Sequence, residues 1–374
     1  MALPAARTTS ASSTAENGSN ITITASLTTP SEEDVVVNLS AGGTATNGTD
    51  YATISSITIA AGQTSGTATF NPTNDSIYDA TSNENNEWIE PFVKAFSDAA
   101  VDYELWYMPE FEVDLGSVPK TAIYYNRMSA SSHTRGHRFE PELTIGVLEW
   151  LERHSKRVVN GSRALDLEIS KIRQYQELEK YGIRTPKTFA AINTKSLLRF
   201  ANQFDRSFVT KHNRSGKGIG VYKFDHPEDL CSFFDTPDFE SSPDGINLVQ
   251  QYIEPCTPHI YRMEFVESKF LYAVKVDTSK GFDLCPADGC EVKTDESDPK
   301  PSKFEIIDDF HLDNLDSYES FLSENGIGIA GIEIIFDATG RHWTYDVNTN
   351  TNYNAHAESQ AGVSACDEIA KFLF

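Results

Sequence analysis

The sequence predicts a multidomain α+β chain, an N-terminal β-sandwich fragment followed by a mixed α/β body, and three observations carry that expectation. At 374 residues the chain exceeds one ordinary core, and about 150 residues per domain gives two or three. Composition breaks near residue 87: residues 1–86 hold no Lys, one Arg (Arg7) and an excess of Thr, Ser, Gly and Asn. Beyond the break, strand-length apolar runs alternate with runs at helical spacing, as in a sheet flanked by helices.

The N-terminal strands rest on period-2 alternation. Asn20-Ile-Thr-Ile-Thr-Ala-Ser-Leu, Asp34-Val-Val-Val-Asn-Leu, Ile54-Ser-Ser-Ile-Thr-Ile and Gly66-Thr-Ala-Thr-Phe are β-branched runs separated by polar turn clusters. A Ser/Thr-rich linker is the competing reading, and the repeated alternation favours strands. From Trp88 the texture changes. Trp88-Ile-Glu-Pro-Phe-Val-Lys-Ala-Phe reads as a helix start, Lys120-Thr-Ala-Ile-Tyr-Tyr as a buried strand, and Pro141 to Arg153 as a helix. Arg157-Val-Val is a short strand, and Glu168 to Tyr181 a helix closed by Gly182 at its C′ position.

Charge and length bound the function. Thirty-one basic residues against 55 acidic ones give a formal charge of −24, which argues against a nucleic-acid backbone as main partner. A local cluster of cations or backbone N–H groups still suffices for a small phosphate-bearing molecule. No apolar run reaches the roughly 18 residues of a membrane helix, and the first seven residues lack the basic-then-apolar order of a secretory signal. Cys231, Cys256, Cys285, Cys290 and Cys366 are odd in number and scattered, as in reduced intracellular thiols. Cys285 and Cys290 have the wrong spacing for a zinc knuckle. The expected location is cytoplasmic.

Two stretches carry chemistry. In Ser207-Phe-Val-Thr-Lys211-His-Asn-Arg-Ser-Gly216-Lys-Gly218-Ile-Gly220-Val-Tyr-Lys-Phe, an apolar strand bears a Lys and returns through a Gly-rich turn. Glycines let backbone N–H groups approach phosphate oxygens, and a Lys adds a point charge; an ordinary turn fits the same residues. The second stretch pairs Gly331-Ile-Glu333-Ile-Ile-Phe-Asp337 with Trp343-Thr-Tyr-Asp346-Val-Asn348 through a short turn. In such a hairpin Glu333 faces Asp346, and Asp346 shares a side with Asn348. Three oxygen donors on adjacent strands suit a Mg²⁺ ion that bridges phosphates, although each taken singly fits a solvated strand residue.

Taken in order, these features are far more specific. The Lys strand and Gly-rich hairpin precede the hinge Ile246-Asn-Leu-Val-Gln-Gln251-Tyr-Ile253, the strand Tyr261-Arg262-Met-Glu-Phe and the Glu…Asp-x-Asn pair. The chain resembles the ATP-grasp superfamily, nearest its RimK-like glutamate-ligase branch, over residues 88–374. The resemblance implies a pre-ATP-grasp α/β domain over residues 87–185 and an ATP-grasp domain over residues 186–374. It implies ATP-dependent carboxylate–amine ligation through an acyl phosphate, with ATP and Mg²⁺, or Mn²⁺ in its place, as cofactors. Lys171 and Lys211 match the phosphate lysines, and Gly216, Gly218 and Gly220 the loop over the phosphates. Gln251 and Ile253 match the adenine hinge, with Gln251 standing where the branch usually has Glu. Arg262 matches the arginine near the γ-phosphate, and Glu333, Asp346 and Asn348 match the metal ligands. Read alone, Lys171 and Arg262 also fit surface salt bridges.

In Tyr125-Asn-Arg127-Met-Ser-Ala-Ser-Ser-His133-Thr-Arg135-Gly-His137, Arg127, His133 and Arg135 are candidates to meet an anionic substrate, with an ordinary polar loop as the alternative. The expected partners are a small carboxylate and an amine, an amino acid or peptide, with no nucleic acid or membrane, and a homo-oligomer is compatible. The loop after Lys275 and the tail Asn348-Thr-Asn-Thr-Asn-Tyr-Asn depart from the glutamate ligases, so substrate identity stays open.

Residues 1–86 resemble a Calx-beta sandwich module through Glu16-Asn-Gly, Gly43-Thr-Ala-Thr…Asp50-Tyr51, Ala61-Gly-Gln-Thr-Ser-Gly and Asn74-Asp-Ser-Ile-Tyr-Asp79. That resemblance implies Ca²⁺ at Glu16, Asp50, Asp75 and Asp79. The chain departs from the family's last strand after Asp79, so the module reads as truncated and its calcium site as incomplete. The first strand of the α/β domain reads as missing. The competing function is a calcium or adhesion module joined to a nucleotide-binding domain without turnover.

Overall fold

The computed structural model describes residues 6–9, 21–39, 56–70, 76–81, 86–216, 218–279 and 303–374. Five short strands open the chain: β1 (Ala6–Thr9), β2 (Ile21–Leu27), β3 (Val35–Asn38), β4 (Ser56–Ile59) and β5 (Ser65–Phe70). They form two small antiparallel sheets, β1-β2-β5 and β3-β4, because alternation turns one face of each inward. Ala25, Leu27, Ile57 and Ile59 make their shared core.

The next strand corrects the sequence expectation. Instead of a missing first strand, β6 (Ser76–Thr81) lies between β7 (Tyr103–Tyr107) and β8 (Ala122–Asn126), parallel to both. Asp79 therefore sits inside a parallel strand, opposite Leu105 and Tyr125, and not in a sandwich turn. The α/β domain thus begins about ten residues before the composition break. Glu16, Asp50 and Asp75, the other calcium candidates, lie outside the described residues, as do Cys285 and Cys290.

Crossovers complete this sheet: α1 (Asn86–Asp98) joins β6 to β7, and α2 (Glu140–Arg153) joins β8 to β9 (Arg157–Val159). Every residue of β8 is buried, as expected for a parallel strand covered on both faces. The helix expected over residues 168–181 begins three residues later, as α4 (Lys171–Lys180), and a separate helix α3 (Ser162–Glu168) precedes it across a break at Ile169 and Ser170. Asn213 holds the break. Its carbonyl accepts from Lys171 N at 3.1 Å and its side-chain oxygen from Ile172 N at 3.0 Å, satisfying N–H groups that α4 cannot pair internally.

Two antiparallel sheets follow. The first has the order β10-β13-β11-β12, with β10 (Thr188–Ala191), β11 (Phe208–His212), β12 (Tyr222–Phe224) and β13 (Asn247–Gln251). Helices α5 (Thr194–Ala201) and α6 (Pro227–Phe233) cover it through Leu197, Leu230, Phe208 and Val249. The second has the order β16-β15-β14-β17-β18, with β14 (His259–Val266), β15 (Lys269–Asp277), β16 (Phe304–Ile307), β17 (Ile329–Phe336) and β18 (His342–Asn348). Helix α4 and helix α7 (Leu315–Glu324) pack on it around Met263, Phe265, Ile332 and Val347.

The chain ends in α8 (Ala355–Ala361) and α9 (Ala365–Leu373). Ile369 and Leu373 of α9 bury against Phe92 and Phe96 of α1, so the C-terminus completes the core of the parallel sheet. None of the helices described is long and apolar enough to cross a membrane.

Candidate active site

The two antiparallel sheets face each other across a cleft of about 300 Å³. Along the strands its lining passes from apolar side chains, Val209 on β11, Ile260 on β14 and Ile335 on β17, to a charged end at Lys211, Glu333 and Asp346, and Val221 and Ile253 add to the apolar lining. Strand registry builds the charged end. Arg262 on β14 lies opposite Glu333 on β17, and Glu333 lies opposite Asp346 on β18, so three charged residues form a row across the sheet. Asn348 follows two residues along β18 from Asp346, opposite Gly331 and half-buried.

Two lysines enter from other elements. Lys171, the first residue of α4 and 1% exposed, forms a buried ion pair with Asp346. Lys211 reaches over from β11 and donates to the carbonyl of Tyr345 at 2.9 Å and to the Tyr175 hydroxyl at 3.2 Å. Burial and the neighbouring Asp346 push the Glu333 carboxyl above the usual range. Burial acts on Asp346 in the same sense, but Lys171 and then Lys211 outweigh it and hold that carboxyl below the usual range. The two adjacent carboxyls are thus pulled in opposite directions, Asp346 toward its charged form and Glu333 away from it.

The Gly-rich turn after β11 supplies a further wall. Gly216 and Gly218 line the cleft, while Lys217 lies outside the described residues. Gly220 has φ +76°, and a Cβ there would fall 2.5 Å from the His212 ring, so only glycine lets the loop fold back on β11. Gln251 and Ile253 line the cleft at the end of β13, with Gln250 and Tyr252 beside them.

The structure places the remaining predicted residues differently. Among the described residues lining the cleft, none is Lys171, Arg262, Asn348, Arg127, His133, Arg135 or Gly220; Lys171 and Arg262 stand behind the lining, against Asp346 and Glu333. Arg127 is 1% exposed, stacks over the Phe92 ring at 3.8 Å and donates to Asn352 Oδ1 at 2.9 Å and to the Thr351 carbonyl. It braces the Asn-rich tail from within the α/β domain rather than facing an anionic substrate. His133 and Arg135 lie in a 3₁₀ turn (Ser132–Arg135) just after Ser131, whose Cβ would stand 3.6 Å from a Cβ added to Gly216. Burial, then the nearby His212, Arg214 and Arg135, hold the His133 imidazole below its ordinary pKa, with only its hydrogen bond to the Ala130 carbonyl opposing them.

No protein-family model matches the chain, and no curated protein matches its sequence. Solved structures do match its shape. The ATP-grasp ligase PsnB, complexed with a minimal precursor, aligns at TM-score 0.58 and 15% identity over 80% of this chain and 98% of PsnB. A RimK domain ATP-grasp protein from Sphaerobacter thermophilus aligns at 0.55 and 14%, over 80% of this chain and 99% of its own. The macrocyclase MdnC from Microcystis aeruginosa, bound with precursor peptide MdnA, aligns at 0.54 and 16%, over 80% and 99%. The fold is that of the ATP-grasp ligases. Nothing among these comparisons supports the Calx-beta resemblance or a calcium site in residues 1–86.

Within this ATP-grasp fold, several residues that organise the cleft escaped the sequence reading. Gln174 of α4 inserts beside β18, donating to the Val347 carbonyl at 2.8 Å and accepting from Val347 N at 2.9 Å, and so acts as a one-residue strand. Glu168 accepts from Thr349 N at 2.7 Å, and Asn160 donates to the carbonyls of Ile329 and Thr349 at 2.8 Å. Glu264 and Thr351 contact Arg262. Only Arg262-x-Glu264 carried a signal, since residues two apart share a strand face.

Proposed function

We propose that this protein is an ATP-dependent carboxylate–amine ligase that forms an amide or peptide bond and releases ADP and phosphate. The convergence of Lys211, Glu333 and Asp346 at the charged end of one cleft, with Lys171 buried against Asp346 behind them, carries the reading. In it, the apolar end takes the nucleobase, with the backbone of Gln251 and Ile253 at the hinge. Gly216 and Gly218 bring backbone N–H groups to the phosphates, and Gly220 gives the loop its return. Lys171 and Lys211 neutralise the triphosphate.

A divalent cation fits the donor set. Among the described residues no three His, Cys, Asp or Glu side chains gather as a metal group. Mg²⁺ does not need such a cage, because it commonly takes one or two carboxylates and completes its shell with phosphates and water. Glu333 and Asp346, adjacent and buried, supply those carboxylates, and Asn348 a carboxamide oxygen. When bound, the ion spreads the charge that builds on the phosphates during transfer. PsnB is complexed with Mg and ADP in one solved neighbour.

The substrate carboxylate oxygen attacks the γ-phosphorus, the bond to the bridging oxygen breaks, and ADP leaves. An amine then attacks the acyl carbon, phosphate departs with the C–O electron pair, and the amine proton passes to solvent. Arg262, beside Glu333, would meet the charge of the acyl phosphate. The precursor peptides named for PsnB and MdnC favour an amino acid or peptide as substrate class.

The test is ADP release with Mg²⁺ against pools of amino acids, short peptides and amines, with the coupled product weighed by mass spectrometry. ADP release that needs both a carboxylate and an amine, and that vanishes in Lys211→Ala and Asp346→Ala, is expected. Nucleotide binding without turnover in any pool would sink the ligase reading.

A further inference from the structure

Arg262 stands between two buried carboxylates and does not share itself evenly. Its Nε donates to Glu264 Oε1 at 2.6 Å, whereas its Nη1 stands 3.5 Å from Glu333 Oε1. A charge-assisted pair in full contact closes to about 2.7–2.9 Å. Glu333 is nonetheless the register partner of Arg262 across β14 and β17, so nothing in the backbone keeps the two apart. The restraint comes from side chains. Arg262 Nη2 donates to the Thr351 hydroxyl, and that hydroxyl donates onward to Glu264 Oε2 at 2.9 Å, which closes a ring of three. Arg262, Glu264 and Thr351 are 6%, 2% and 0% exposed, so water cannot substitute for any member.

Two further features serve this ring. A Cβ on Gly331 would lie 2.8 Å from Arg262 Nε and Nη2 and 2.9 Å from Glu264 Oε2, so the glycine vacates the space the clamp fills. Thr351 is itself fixed, because its carbonyl accepts from Arg127 Nη1 at 3.3 Å.

We propose that Glu264 and Thr351 are positioning residues that hold the Arg262 guanidinium off Glu333 and so keep that carboxylate open to a divalent cation. The inference rests on the reading of Glu333 as a metal ligand given above. With either restraint removed, the guanidinium closes on Glu333, where low dielectric makes the attraction strong, and an incoming Mg²⁺ must displace it.

The experiment is ADP binding by calorimetry to the full chain as a function of Mg²⁺, in wild type, Glu264→Gln, Thr351→Val and Thr351→Ser. Thermal melts without Mg²⁺ are taken alongside. Loss of a group that orients a metal site commonly costs about 10–100-fold in metal affinity, and a rise of that size in the half-saturating Mg²⁺ is expected for Glu264→Gln and Thr351→Val. Thr351→Ser, which keeps the hydroxyl, should stay within about twofold of wild type. Folded Thr351→Val with an unchanged Mg²⁺ midpoint overturns the proposal even if it melts early, since a purely structural clamp would move only the melt. Wild-type ADP binding that is indifferent to Mg²⁺ overturns it too. Mg²⁺-dependent binding without ligation removes the ligase reading alone and leaves the clamp measurable.

Discussion

Lys171 and Lys211 bring the same charge to the Glu333 and Asp346 carboxylates but are held by different partners, and that difference is testable. Lys171 is buried against a carboxylate, so Lys171→Met leaves Asp346 beside Glu333 without its nearest cation. Breaking a buried pair from one side costs about 3–5 kcal/mol. Lys211 donates to a carbonyl and a phenol, both neutral, so Lys211→Met costs about 1.5–3 kcal/mol, the range for hydrogen bonds made by a charged group. Urea unfolding should therefore show a larger loss of midpoint for Lys171→Met than for Lys211→Met. Both should lose ADP formation by about 10²-fold or more, as when a charge-stabilising group is removed from a reacting centre. Equal losses of stability would refute the distinction. The same two residues show what the sequence makes visible. Lys211 stands out because a strand Lys before a run of glycines is a local pattern. The partners that hold the site, Asn160, Gln174, Glu168 and Thr351, are ordinary polar residues whose contacts span 89–189 positions. No window of sequence contains both ends of such a bond.

At the level of elements, the β17–β18 hairpin carries Glu333 and Asp346 and depends on its turn for registry. Asp337 organises that turn, accepting from the Thr339 hydroxyl at 2.6 Å, Trp343 Nε1 at 3.0 Å and the backbone N–H groups of Thr339 and Arg341. These donors, the Thr339 and Trp343 side chains first, hold its carboxyl well below the usual range. A carboxyl whose folded pKa is depressed stabilises the fold above its unfolded pKa, about 3.9, and loses that contribution as pH falls below it. Asp337→Asn should therefore be less stable than wild type by about 1 kcal/mol near neutral pH. The gap should shrink as pH drops below about 4 and toward the depressed folded-state pKa, where the wild-type carboxyl too becomes protonated. Urea melts at the two ends of that range check it, and a gap that widens in acid would refute the assignment. The hairpin was readable because its strands are neighbours in sequence and alternate. β6 was not, because a central parallel strand pairs with segments met later, Tyr103–Tyr107 and Ala122–Asn126, and its residues share the polar texture of the chain before it. The α3–α4 break escaped for a similar reason: apolar spacing runs through Ile169 unchanged, while the group that ends the periodicity, Asn213, comes from β11's end.

Across the whole molecule, the composition break and the structural break fall at different places, and that decides where the chain can be cut. β6 lies on the N-terminal side of residue 87 but belongs to the sheet whose core α9 completes. Arg157 of β9 adds to that closure by donating to the carbonyls of Phe372 at 2.9 Å and Leu373 at 3.3 Å. The α/β sheet, α1 and the C-terminal helix are therefore one cooperative unit, coupled to the cleft through Asn160 and Arg127. A chain beginning at Thr73 keeps β6 and should fold, melt cooperatively and bind Mg²⁺–ADP as the full chain does. A chain beginning at Trp88 lacks it, which unpairs β7 and leaves the buried strand β8 with an open edge. It should be recovered as aggregate, or melt without a cooperative transition, although every residue proposed to touch nucleotide is present. Circular dichroism and calorimetry on the two chains decide the matter. Equal stability would mean that β6 is dispensable, and the domain boundary would return to the composition break. Loss in the Thr73 chain as well would instead show that the two small N-terminal sheets carry part of the stability of the nucleotide-binding fold.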